Sequence, residues 1–130
     1  MSQVTSSLTI NNGEATPVAK TFAPMRVAPD ESIFTERSSG VSAGFTRLRV
    51  ATSPAKNGRP TNRIDYDLDY PVLATVNGVS TVAYTLRFKG YFVIPDVATA
   101  AERANLAAYV ANGLDNTQIR SVIKDLDPLY

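Results

Sequence analysis

Between Asn62 and Tyr70 apolar and charged side chains alternate without a break. Ile64, Tyr66, Leu68 and Tyr70 fall on one side, and Arg63, Asp65, Asp67 and Asp69 on the other. Successive side chains of a strand point to opposite faces, so the run fits a strand with one face in a core and one turned outward. The same period returns on either side of it. In Phe45 to Ser53, Thr46, Leu48 and Val50 oppose Arg47, Arg49 and Ala51. In Val79 to Ile94, Val82, Tyr84, Leu86, Phe88, Phe92 and Ile94 oppose Thr85, Arg87, Lys89 and Tyr91.

Turn chemistry divides the rest. Val4 to Ile10 and Glu14 to Phe22 form the arms of a hairpin about Asn11-Asn12-Gly13, and Asn77-Gly78 is a two-residue hairpin turn. Pro24 and Pro29 make 23–30 a connector, Ser32 to Arg37 a short strand, and Pro54 to Pro60 a basic loop. Pro71 separates the strand 62–70 from another over Val72 to Val76. After Pro95 the period changes. Thr99 and Glu102 have the spacing of a capping box, and the helix they open is expected to run to Asn112 and stop at Gly113. Leu106, Tyr109 and Val110 form its buried stripe. A second helix starts near Asp115 or Asn116, carries Ile119, Val122, Ile123 and Leu126 on one stripe, and ends at Asp127-Pro128. Strands followed by helices read as an α+β fold, an antiparallel sheet with helices on one face.

The 130 residues suffice for one core, so the chain reads as a single domain. Within it, 1–23 is an outer hairpin, 31–95 the antiparallel sheet and 99–127 the two helices. There is no His, Cys or Trp. That excludes a Ser-His-Asp triad, a thiolate nucleophile, a Cys/His zinc site and disulfides. Met1 to Ile10 lacks the basic and apolar regions of a signal peptide, so a soluble protein made in the cytoplasm is expected.

The formal charge of +1 hides an uneven distribution. Six bases and no acid lie from Arg37 to Arg63, whereas Asp96 to Asp127 carries five acids against three bases. If Arg87 and Lys89 join the first group, the outward sheet face is basic and suits a polyanion. Tyr91 on that face can stack on an unpaired base. The plainer reading is a solvated surface. Asp65, Asp67 and Asp69 recur at about 6.5–7 Å spacing along their strand. That suits an acid/base pair or a hard cation such as Ca²⁺, but cross-strand pairing with Arg47, Arg49, Arg87 or Lys89 is the simpler use. No metal and no cofactor are expected.

In order along the chain, several stretches resemble the coat proteins of the single-stranded RNA bacteriophages, the leviviruses. They are Gly13-Glu14-Ala15-Thr16-Pro17 with Thr21-Phe22, Ser39 to Gly44, Asn57-Gly58-Arg59, Thr75-Val76-Asn77-Gly78-Val79, Glu102-Arg103 and the final Asp125 to Tyr130. The resemblance implies an intertwined homodimer, with two sheets joined edge to edge and each chain's helices crossing the other's sheet. About 90 such dimers would form a T=3 icosahedral shell. The open sheet face would meet single-stranded viral RNA, and the protein would repress replicase translation by binding an RNA hairpin. A viral maturation protein is a further partner the likeness implies, and the virion, assembled in the bacterial host cytoplasm, the location. Carried onto this sequence, the RNA contacts are Arg47, Arg49, Arg63, Thr85, Arg87 and Lys89, with Tyr91 added from the alternation. Asp65 and Asp67 stand on the same face where better-known members have Thr and Lys. Val76, Asn77, Gly78 and Val79 form the loop at the symmetry axes, shorter here than in some members. The alternatives are a small dimeric RNA-binding regulator that forms no shell and, more remotely, a hydrolase built on Asp65 and Asp67.

Overall fold

The computed structural model describes residues 7–129, so the first residues of the expected Val4–Ile10 strand lie outside them. Two compact units follow one another, the first ending at Val93 and the second beginning at Ile94. The first unit is one sheet in chain order: β1 (Leu8–Asn11), β2 (Ala19–Val27), β3 (Glu31–Glu36), β4 (Thr46–Ser53), β5 (Thr61–Val76) and β6 (Val79–Pro95). Neighbours run antiparallel, as short turns between consecutive strands require.

Two prolines stand where the sequence suggested interruptions, and the strands pass through both. β2 continues past Pro24 to Val27, and its pairing with β3 slips between Pro24 and Arg26. A proline without an N–H is tolerated at such an irregularity in the ladder. The connector therefore shrinks to a tight turn closed by hydrogen bonds between Ala28 and Glu31. Pro71 lies beyond the last pairing of β5 with β4, Asp69 with Arg47, so the two expected strands 62–70 and 72–76 are one. The last turn behaves as read. Asn77 and Gly78 both take positive φ, 52° and 77°, the handedness that matches strand twist in a two-residue hairpin.

The alternating apolar positions meet across the strands. Phe22, Phe34 and Leu48 are buried, with Tyr66 and Leu68 packed against them, and Phe88 meets the Tyr66 ring edge-on at 5.9 Å. This burial pushes the Tyr66 hydroxyl pKa upward. Before β4 a single 3₁₀ turn, Ser42–Gly44, packs on β5 so closely that a Cβ on Gly44 would lie 2.6 Å from Leu73 Cδ1.

The second unit holds α1 (Ala100–Leu114) and α2 (Thr117–Asp125). The capping box is present in full. Glu102 N–H donates to Thr99 Oγ1 at 3.2 Å, and Thr99 N–H to Glu102 Oε1 at 2.8 Å. Gly113 does not end α1. It lacks the positive φ that would turn the chain, and the helix closes at Asp115, whose N–H donates to the Ala111 carbonyl, with the Asn116 N–H donating to that of Gly113. Asn116 caps α2, and Leu126 ends it in the left-handed region, just ahead of Asp127-Pro128. The expected stripes exist, but neither helix buries a residue: Tyr109 is 74% exposed and Leu126 86%. No helix among the described residues is long and apolar enough to cross a membrane.

Candidate nucleic-acid interface

Register decides which charged side chains share a face. Arg47 lies opposite Asp69, Arg49 opposite Asp67, and Ala51 opposite Asp65. On the other side of β4, Glu31, Ile33 and Thr35 lie opposite Ala51, Arg49 and Arg47. Directly paired residues project to the same side, so these strands contribute one common face. β6 joins it: Arg87 Nε is 3.4 Å from Asp69 Oδ1, and the Arg63 guanidinium stacks 4.2 Å from the centre of the Tyr91 ring. Lys89 lines a shallow depression of about 380 Å³ with Ile33, Arg47, Arg49, Asp67 and Asp69. Thr85 is half-buried and shares the odd-numbered side of β6 with them.

The sequence-derived residues are thus brought together, and Asp67 and Asp69 pair across strands with Arg49 and Arg87, the simpler use for them, so the face is not an uncompensated basic patch. Six cations (Arg26, Arg47, Arg49, Arg63, Arg87, Lys89) share the face with four carboxylates (Glu31, Asp65, Asp67, Asp69). Arg49 donates to Glu31 at 2.7 Å and to Asp67 at 2.9 Å, and the two hydrogen bonds hold its pKa above the ordinary arginine value. Arg63 pairs with Asp65 at 2.9 Å. Asp69 Oδ1 is buried beside Arg87, close enough for attraction but without a hydrogen bond. Arg47 and Lys89 have no ion-pair partner among the described residues.

Other members of the acid-free stretch serve the scaffold. Arg37 donates to Thr35 Oγ1 at 2.9 Å, and Arg59 ties the 54–60 loop through Ser53 Oγ at 2.8 Å and the Pro54 carbonyl at 2.7 Å. An acid-free sequence does not make an acid-free surface, because the balancing carboxylates arrive from β3 and β5. Glu31 was missed for that reason: only the pairing of β3 with β4 brings it to Arg49. Asp65, Asp67 and Asp69 each face an arginine, and no group of three or more metal-ligating side chains converges among the described residues.

A second surface feature lies at the end of the sheet. β6 is last in the strand order, is 17 residues long, and leaves Val82, Tyr84, Leu86 and Phe88 exposed. Val76 and Val79, flanking the Asn77-Gly78 turn, are exposed as well.

Comparison with known proteins gives a consistent result. A family model described as "Levivirus coat protein" matches residues 3–130. Among solved structures, a virus-like particle of bacteriophage NT-214 is similar at TM-score 0.86 and 23% identity, covering 98% of this chain and 100% of that one. A virus-like particle of bacteriophage ESE058 is similar at TM-score 0.81 and 26% identity, covering 96% and 98%. The bacteriophage GA protein capsid is similar at TM-score 0.75 and 17% identity, covering 96% and 97%. No curated protein matches the sequence.

Proposed function

The chain belongs to the levivirus coat protein family and is a structural virion component rather than an enzyme; from that premise we propose that it dimerises through β6, builds an icosahedral shell and packages single-stranded RNA against the polar sheet face. The observation that carries this reading is the unfinished edge. A 17-residue terminal strand with an exposed apolar side is an aggregation hazard unless a partner covers it. A second copy paired along β6 covers that edge with the same surface, as a twofold interface requires. The apolar stripes of α1 and α2, whose residues are at most half-buried here, then find their cover on the partner. Shell formation is supported by the virus-like particles of the similar phage proteins.

On the polar face, Arg47 and Lys89 meet phosphates and the Tyr91 ring offers a stacking surface beside Arg63. The exposed Val76–Val79 turn sits at the shell's symmetry axes, where its tightness keeps its conformations alike. Repression of replicase translation through an RNA hairpin uses the same face, and a maturation protein joins the virion during assembly in the host cytoplasm.

The test is expression of the chain alone, followed by electron microscopy and nuclease digestion. Closed particles holding nuclease-resistant RNA are expected. A soluble dimer that never forms particles would leave the RNA-binding regulator in its place, and empty particles would remove the packaging role.

A further inference from the structure

The polar face carries more positive charge than it offers. A chain of ion pairs crosses four strands, from Arg26 to Glu31 at 3.0 Å, Glu31 to Arg49 at 2.7 Å and Arg49 to Asp67 at 2.9 Å. Two further pairs, Arg63 with Asp65 at 2.9 Å and Arg87 with Asp69 at 3.4 Å, lie alongside. These pairs are all partly exposed. Exposed pairs contribute only about 0–1 kcal/mol each, so fold stability is a weak reason for so many.

Their effect on a polyanion is more direct. When a free cation meets a phosphate, the counterion condensed on the RNA is released, and that release drives binding. When an arginine already held by a carboxylate turns to a phosphate, the abandoned carboxylate recruits a cation from solution, and the net release falls toward nothing. Resting on the RNA-packaging reading, we propose that Glu31, Asp65, Asp67 and Asp69 are built-in counterions that leave only Arg47 and Lys89 to attract RNA non-specifically. These acidic residues are then determinants of selectivity. They keep the face from holding arbitrary polyanions tightly, so that shape and base contacts decide which RNA stays.

The salt dependence of binding reads this directly. For single-stranded nucleic acid, the slope of log K against log salt is about −0.7 per phosphate neutralised. With two uncompensated cations on this face, the full-length unassembled protein binding a short oligouridylate there should show a slope of about −1.4 between about 50 and 200 mM salt. The variant D65N/D69N frees Arg63 and Arg87, while Arg49 keeps Glu31 and Asp67. Its slope should steepen to about −2.8. Should the double variant fail to fold, Asp69→Asn alone frees Arg87 and should give about −2.1. Replacing Arg47 and Lys89 by alanine should flatten the wild-type slope to near zero. A wild-type slope already near −2.8, or Asn variants that leave the slope unchanged, overturns the counterion role while the packaging reading stands. Absence of salt-dependent binding in the wild type and the Asn variants alike removes both.

Discussion

Leu48 in β4 and Leu86 in β6 sit in equally regular alternating strands, yet one is 2% exposed and the other 53%. Leu48 has β3 on one side and β5 on the other, with Phe22 and Phe34 in the same cluster. Leu86 lies on the last strand, where the sheet ends. Burial is therefore set by what stands beside a strand rather than by the strand's own pattern. The centre of the sheet is completed by the chain, whereas its last strand is left with an exposed apolar side.

The sharpest way to break that comparison is Leu86→Asp. If β6 meets a second copy, the substitution buries an unpaired carboxylate, at a cost on the order of 5 kcal/mol or more. Particles should vanish from electron micrographs and sedimentation should show monomer, with the strand content of the circular dichroism spectrum retained. Normal particles would show that this side of β6 is not an interface. Leu48→Ala is the reciprocal case. It leaves a cavity beside Phe22 and Phe34 and should cost about 2–5 kcal/mol in urea unfolding of the unassembled chain. Leu86→Ala in the same assay should cost far less, because that side chain is already 53% exposed; equal losses would erase the distinction. Gly44→Ala is smaller again. Its Cβ would meet Leu73 at 2.6 Å, and displacing that side chain should cost about 1–3 kcal/mol in the same assay. No change would mean that Leu73 swings aside freely.

The positions most legible in sequence were those governed by local chemistry. Asn77-Gly78 and the Thr99/Glu102 box are each decided within a few residues, and each forms as its residue types require. Strand faces were legible for the same reason, since a period of two fixes which residues project together. Interruptions by Pro24 and Pro71 were misread because a proline's effect depends on whether a neighbouring strand needs its N–H, which is a property of pairing. Gly113 was misread similarly: glycine permits a left-handed stop without compelling one. The candidate site shows this limit most plainly. Its cations could be named in advance, but the compensation of Arg49 by Glu31 joins residues 18 positions apart, and only register reveals it.

The smallest effect tests the other half of the comparison, because helices with no fully buried residue must rely on local terms. Neither α1 nor α2 buries a residue, and helices of about 12–15 residues are marginal without packing. The cap should thus matter to α1 in the unassembled chain as core packing matters to β4. Thr99→Ala removes the hydroxyl that accepts the Glu102 N–H and should cost about 1 kcal/mol. Hydrogen exchange on a chain kept monomeric by Leu86→Asp should report that loss in α1 amides, with β3 and β4 unaffected. Acid should act through the other arm of the box. The Thr99 N–H donating to the Glu102 carboxylate holds its pKa below the ordinary value of 4.5. A lowered folded-state pKa means that its stabilisation is present above that ordinary value and fades as pH falls through the folded one. Protection of α1 should therefore decline in that acid range, and Glu102→Gln should remove the decline attributable to this group. If α1 protection is indifferent both to Thr99 and to acid, the helix is held by something other than its cap, and the contrast between a self-completed sheet centre and an unburied helical unit loses its second term.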